Sequence, residues 1–302
     1  MSSYSDGERH APYNQAMPSY AWHDFNDLWD YANPAASEAK FRGLLAASES
    51  AQDKDYRLQL NTQLARALGL QGKFDEAHQL LDEVEAAMPA ESLVEVRYLL
   101  ERGRAFNSGK QPEKAVLLFS RASALAEQLG ADFFTVDALH MLGIAAPEKS
   151  RRDWNLKAIE VAQNSLDKRA RGWLASLYNN TGWTLFEEGR HAEALDLFQR
   201  AVPLREKKGE AEPLRVAKWS VAKVLRVMGR VEEALFIQRQ LESEEADPDG
   251  FVLEEIGECL LALEKADEAK PYFDRAHEKL SKIDWVAEDK ARIGRLKQLA
   301  GA

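Results

Sequence analysis

The side chains of this 302-residue chain best suited to act on another molecule are cations, tryptophans and amides rather than a catalytic set. Arg66, Arg97, Arg104, Lys223 and Arg226 carry positive charge, and the arginine fork matches a carboxylate. Trp183 and Trp219 offer large rigid contact surfaces with one donor each. Asn107, Asn179 and Asn180 supply amides able to hold an extended peptide backbone by paired donor and acceptor, and His140 adds a further polar group. That chemistry is capture, not bond breaking.

Spacings that break bonds or hold metals are missing. No G-x-S-x-G, H-E-x-x-H or G-x-G-x-x-G occurs. Gly103 to Gly109-Lys110 imitates a phosphate loop, but five residues separate the glycines instead of four, and Gln111 stands where Ser or Thr would hold the metal. The six histidines include no pair at metal-ligand spacing on one helix, and the single cysteine, Cys259, excludes an internal disulfide and a cysteine zinc cluster. No cofactor and no metal are expected. A net charge of −10 argues against nucleic acid or anionic lipid as a general partner. No apolar run approaches the roughly 18 residues of a membrane span, and residues 1–20 lack the basic-then-apolar signature of a signal peptide. A cytoplasmic protein is the expectation, with a monomer favoured.

The elements that must position these side chains are helices in repeated pairs. Ala77/Leu81/Val84, Ala115/Phe119/Ala122, Ala194/Phe198/Ala201, Ala234/Gln238/Leu241 and Ala269/Phe273/Ala276 share one pattern. Their first alanines lie 38, 79, 40 and 35 residues apart, so a degenerate unit belongs in the double gap, around Leu142-Gly143 and residues 154–162. Twelve residues before each alanine stands a small residue, Ala65, Gly103, Gly182, Ala222 or Gly257, which lets two antiparallel helices approach closely. Gly72, Gly189 and Gly229 mark the turns between them. Asn33-Pro34 reads as a helix cap and first position. Pro147 should end its helix early and put Lys149, Arg151, Arg152 and Trp154 on an irregular loop at 144–157, a second candidate site.

Residues 178–202 (YNNTGWTLFEEGRHAEALDLFQRAV) and 72–89 (GKFDEAHQLLDEVEAAMP) resemble tetratricopeptide repeats, in a variant with a longer period of about 38–40 residues. The resemblance spans roughly residues 25–280 and implies an all-α, right-handed superhelical solenoid of six to seven antiparallel helix pairs. Residues 1–20 are expected to form a disordered tail, residues 21–302 one array, and residues 285–300 a capping helix with Val286, Ile293, Leu296 and Ala300 on its inner face.

The family's register further implies which positions line the concave groove: the second, fifth, ninth and twelfth of each first helix. On that basis the groove carries Gln59, Thr62 and Arg66; then Arg97, Arg104 and Asn107; then Asp137 and His140. It continues with Asn179, Trp183 and Phe186, beside Asn180 at the family's backbone-holding position, then Trp219, Lys223 and Arg226, and last Phe251, Glu254 and Glu258. Five cations interleaved with two tryptophans point to a protein or peptide partner of acidic and apolar character. The function expected is a non-catalytic adaptor or scaffold. The alternatives are a sensor for a small peptide or acidic metabolite, and, third, an enzyme with His140 or Glu258 as general base.

Overall fold

Local sequence signals set the helix starts. Asn33 Oδ1 accepts the Ala36 amide at 3.1 Å, with Pro34 at the first helical position, so α1 runs Pro34–Ala46. Asp53 caps α2 (Lys54–Leu70) through the Tyr56 amide at 3.0 Å, and Ser92 caps α4 (Leu93–Ser108). Between them lies α3 (Phe74–Ala87). The computed structural model describes residues 24–47 and 53–301. Among these it holds a 3-10 turn at Asn26–Leu28 and sixteen α-helices, with no strand. The expected tail at residues 1–20 lies outside the described residues.

The chain divides into two compact units, one through Gly109 and one from Lys110. In the first, α1 packs on α2, and α2 packs on both α3 and α4. The second begins with α5 (Pro112–Gln128), α6 (Asp132–Ala145) and α7 (Glu148–Asn164). After the short α8 (Lys168–Gly172) come two pairs, α9 (Leu174–Glu187) with α10 (His191–Lys208), and α11 (Ala211–Val227) with α12 (Val231–Ser243). A third pair follows, α13 (Gly250–Ala262) with α14 (Ala266–Leu280). Gly189 and Gly229 take φ values of 75° and 81° at the turns inside two of these pairs, where a side chain would strain the backbone.

The repeated alanine pattern is the buried seam. Ala194, Phe198 and Ala201, like Ala269, Phe273 and Ala276, are at most 1% exposed. Each Phe ring lies against the small residue sixteen positions earlier: a Cβ on Gly182 would sit 2.7 Å from Phe198, and one on Gly257 would sit 2.8 Å from Phe273. Burying such a ring stabilises by about 2–3 kcal/mol, provided the facing helix leaves room for it.

In the degenerate unit the buried Asn155 fills the space against Gly143, while Ala158, Ile159 and Ala162 keep the seam closed. Helix α6 does end just before Pro147, at Ala145, as Pro147 requires. The irregular loop expected at 144–157 is corrected: Pro147 is extended and caps α7, which begins at Glu148. Lys149, Arg151, Arg152 and Trp154 therefore lie on helix, with Arg152 bound to Glu188 at 2.8 Å and Arg151 Nε donating to the Ala146 carbonyl at 3.0 Å. Proline at a helix start costs no hydrogen bond, and so it begins this helix rather than breaking the stack.

The C-terminal cover is two pieces, α15 (Asp284–Ala287) and α16 (Lys290–Ala300), because Asp289 interrupts to accept the Arg292 amide at 3.0 Å. Val286 and Leu296, at 1% and 0% exposure, seal the core around Leu280 and Phe273.

Candidate functional site

In the second unit the first helices of successive pairs bring aromatic rings into a row. Trp183 on α9 follows Gly182, Trp219 on α11 precedes Ala222 by three residues, and Phe251 on α13 precedes Gly257 by six. Relative to the small residue, these positions differ by four and by three, so each helix presents the same face. Trp183 and Trp219 lie 5.7 Å apart, centroid to centroid, and Trp219 meets Phe251 edge-on at 6.2 Å. Phe251 stacks on Trp285 of α15 at 5.8 Å and 16°. The Trp219 indole N–H donates to the Phe251 carbonyl at 3.2 Å, which fixes its ring plane. Asp249 caps α13 through the Phe251 amide at 2.7 Å and so places that ring.

These four rings, with Val216 and Val252, line a cavity of about 310 Å³. Its wall is open: Trp285 is 65% exposed and Val216 41%. Glu212, Arg215 and Asp249 complete the lining, and Arg215 is already answered by Glu245 and by Glu212 at 3.1 Å. A smaller cavity of about 160 Å³ adjoins it, sharing Glu212 and Val216 and bordered by Asn179 and Arg205. The arrangement is a bowl of aromatic faces with a mixed-charge edge, large enough for a bulky side chain and a short stretch of backbone.

The cations predicted beside the tryptophans are present on this face, but carboxylates already hold them. Lys223 Nζ lies 2.7 Å from Glu255, and Arg226 grips both oxygens of the same carboxylate at 2.7 and 3.2 Å. Glu255 is 2% exposed; burial alone would raise its pKa, and Arg226 with Lys223 outweighs burial and holds it below the ordinary carboxylate range. Lys223 also lies over the Trp219 ring at 5.0 Å. One helix on, Arg292 Nε binds Glu254 at 3.0 Å and Arg295 binds Glu258 at 3.0 Å, joining α13 to α16.

The other predicted residues are placed elsewhere. Asn180 is exposed, and its side-chain oxygen accepts from Asn179 at 3.3 Å. His140 on α6 is half-buried, 5.1 Å from the Trp173 ring, and does not line the aromatic cavity. Arg66, Arg97, Arg104 and Asn107 belong to the first unit, where Glu101 lies 2.8 Å from Arg104 and 3.7 Å from Arg66. Sequence reasoning missed Trp285, whose signal was a large aromatic off the sealing face of the cap. It also missed Val216, three residues before Trp219 and so at the second position of the repeat register, which lines the groove.

Buried Cys259 has its thiol pushed up to about 12, by burial and then by the Glu255 charge, which leaves it unreactive at neutral pH. Among the described residues no cluster of His, Cys, Asp or Glu is arranged to hold a metal, and no helix is long and apolar enough to cross a membrane.

Residues 174–208, which are α9 and α10 entire, match the tetratricopeptide repeat family model. The chain is built on the tetratricopeptide-repeat fold. The apo form of RapI superposes with a TM-score of 0.71 at 12% identity, covering 92% of this chain and 79% of that one. A signal-transduction ATPase with a tetratricopeptide repeat sensor, from Pyrococcus horikoshii, gives 0.63 at 14% identity over 90% of this chain and 44% of that one. PilF of Pseudomonas aeruginosa gives 0.57 at 14% identity, covering 80% of this chain and all of that one (100%). At such identities the likeness is one of tetratricopeptide architecture. No curated protein sequence matches the chain significantly.

Proposed function

We propose that this protein is a non-catalytic adaptor that captures a peptide segment of a partner protein in the aromatic bowl of Trp183, Trp219, Phe251 and Trp285. Tetratricopeptide arrays offer their first-helix faces for protein binding, and here that face carries a row of rings open to solvent. The observation that carries the reading is the 310 Å³ cavity with a 65%-exposed tryptophan on its wall, a large apolar surface left unburied. Its chemistry favours an apolar or aromatic anchor side chain. The acidic half of the expected partner chemistry rested on five cations, Arg66, Arg97, Arg104, Lys223 and Arg226; of these Lys223 and Arg226 lie beside the bowl, and their charge is shared with Glu255. An acidic group on the partner would thus compete with a carboxylate already in place.

Peptides selected on the wild-type protein from a display library test this. The enriched sequences are expected to share one bulky apolar anchor. Trp285→Ala, a change at an exposed ring that leaves the core intact, should weaken them at least tenfold, which is about 1.4 kcal/mol or more. The adaptor reading fails if selected peptides bind Trp285→Ala and Trp183→Ala as tightly as wild type. Selection of no peptide, together with a small acidic metabolite that protects the tryptophans, would favour the sensor reading.

A further inference from the structure

The first unit shows a different kind of site. Faces of first helices that line a repeat array are ordinarily solvated, yet Gln59, Thr62 and Gln63 of α2 and Arg97 of α4 are all at most 7% exposed. What lies along α2 is the chain itself, residues 25–31, reading Phe-Asn-Asp-Leu-Trp-Asp-Tyr. Phe25, 3% exposed, packs 5.6 Å from Tyr56 near the start of α2 and sits under the Arg97 guanidinium at 5.1 Å. Trp29 donates its indole N–H to Gln63 Oε1 at 3.0 Å. Arg66, near the end of α2, lies 5.5 Å from the Trp29 ring and 5.4 Å from Tyr31, and those two rings stack in parallel at 4.8 Å.

The segment therefore runs along α2 from Tyr56 to Arg66, with aromatic side chains four residues apart each taken by an arginine. Apart from the 3-10 turn at Asn26–Leu28 it is not helical, and it engages α2 and α4 through side chains. It also meets α1: the Trp29 ring sits edge-on to Phe41 at 5.0 Å, and the Asp30 backbone N–H and carbonyl both bond to the Ser37 hydroxyl at 2.8 and 3.0 Å. Helix α1 has anchors of its own in Glu38, bound to Gln71 at 2.7 Å and Lys73 at 2.9 Å. Departure of residues 25–29 would give up the Trp29–Phe41 contact, while the Glu38 bonds keep α1 on α2.

We propose that the α2–α4 face is a second peptide-binding surface, for short non-helical segments with two aromatic side chains four residues apart, and that residues 25–29 are its built-in competitor. The ligand chemistry is read from the occupant: ring faces for the two arginines and an indole donor for Gln63. A tethered segment acts at an effective concentration on the order of millimolar, so an outside peptide sees only the fraction of molecules in which the face is open. This inference does not depend on the aromatic bowl of the second unit.

The test uses the full chain and a fluorescein-labelled synthetic peptide of residues 24–31, read by anisotropy. Phe25→Ala with Trp29→Ala removes the competitor and should bind the peptide at least tenfold more tightly than wild type. Tyr31→Ala, which loses the ring stacked on Trp29, should fall between them. The same peptide with Ala at the Phe25 and Trp29 positions should bind none of the three proteins. Equal affinity across the three proteins, or no binding by a variant whose circular dichroism shows it folded, overturns the proposal. Should the double variant unfold, Tyr31→Ala decides alone, because its ring is 55% exposed and contributes little to the core.

Discussion

Position 238 breaks the rule that its neighbours obey. Phe198 and Phe273 fill the seam in their pairs, whereas the corresponding residue of α12 is Gln238, 0% exposed, with neither amide atom hydrogen-bonded to protein. The opposing residue in register is Ala222 rather than glycine, so the pair gives up a ring and gains a methyl. A buried amide without protein partners costs about 1–3 kcal/mol, and an apolar side chain of similar volume carries no such cost. Gln238→Leu is therefore expected to raise the melting temperature by a few degrees in calorimetry, with peptide binding unchanged. A lower melting temperature would mean the amide has a partner that matters. The substitution itself was visible as a break in the Ala234/Gln238/Leu241 pattern. Its burial was equally legible from the register, but whether the amide found a partner depended on atoms of other helices.

At the scale of helices, α11, α13 and α16 are joined by charge: Lys223 and Arg226 to Glu255, then Glu254 to Arg292 and Glu258 to Arg295. Glu255 is held below the ordinary carboxylate range, so the native chain binds its proton less readily than the unfolded chain. The stability this contributes is complete above the unfolded value near about pH 4.3, and it is lost as pH falls through the lower native value. Glu255→Gln should accordingly cost about 2–3 kcal/mol at pH 7. That is below the roughly 3–5 kcal/mol of a fully buried pair that loses one partner, because Lys223 and Arg226 are still 23% and 21% exposed. Denaturant titration should find the gap between variant and wild type closing as pH falls below the unfolded carboxylate value of about 4.3; a gap independent of pH would place the effect in packing. For the same reason, reversing Lys223 and Arg226 to glutamate would crowd three carboxylates together and damage the fold before it informed on binding. The helices and their seam were legible because both follow a local period. Trp183 and Trp219 were legible as an aromatic pair for the same reason. The ion pairs were not, since each joins residues 29–38 positions apart whose facing depends on how the pairs stack. Trp285 escaped because α15 has left the repeat, and Phe25 and Trp29 because they precede it.

For the molecule as a whole, stacked pairs exchange stability chiefly with their neighbours, so an injury at one end should stay there. The cap is where this can be tested. Leu296 is 0% exposed and, with Val286, closes a core shared by Ile256, Phe273 and Leu280. Leu296→Asp would put a carboxylate into that core, which is tolerable only if α16 detaches. Detachment would also break the Arg292 and Arg295 pairs and expose the outer side of α14. Hydrogen exchange is therefore expected to rise in α13–α16, while α6 and α7 keep wild-type protection. The Trp285 wall of the bowl would loosen with the cap, so peptides selected on the wild type should bind this variant less tightly although Trp183 and Trp219 are untouched. Uniform loss of protection across the second unit would instead mean that it unfolds as one cooperative body, and that the cap stabilises every pair beneath it.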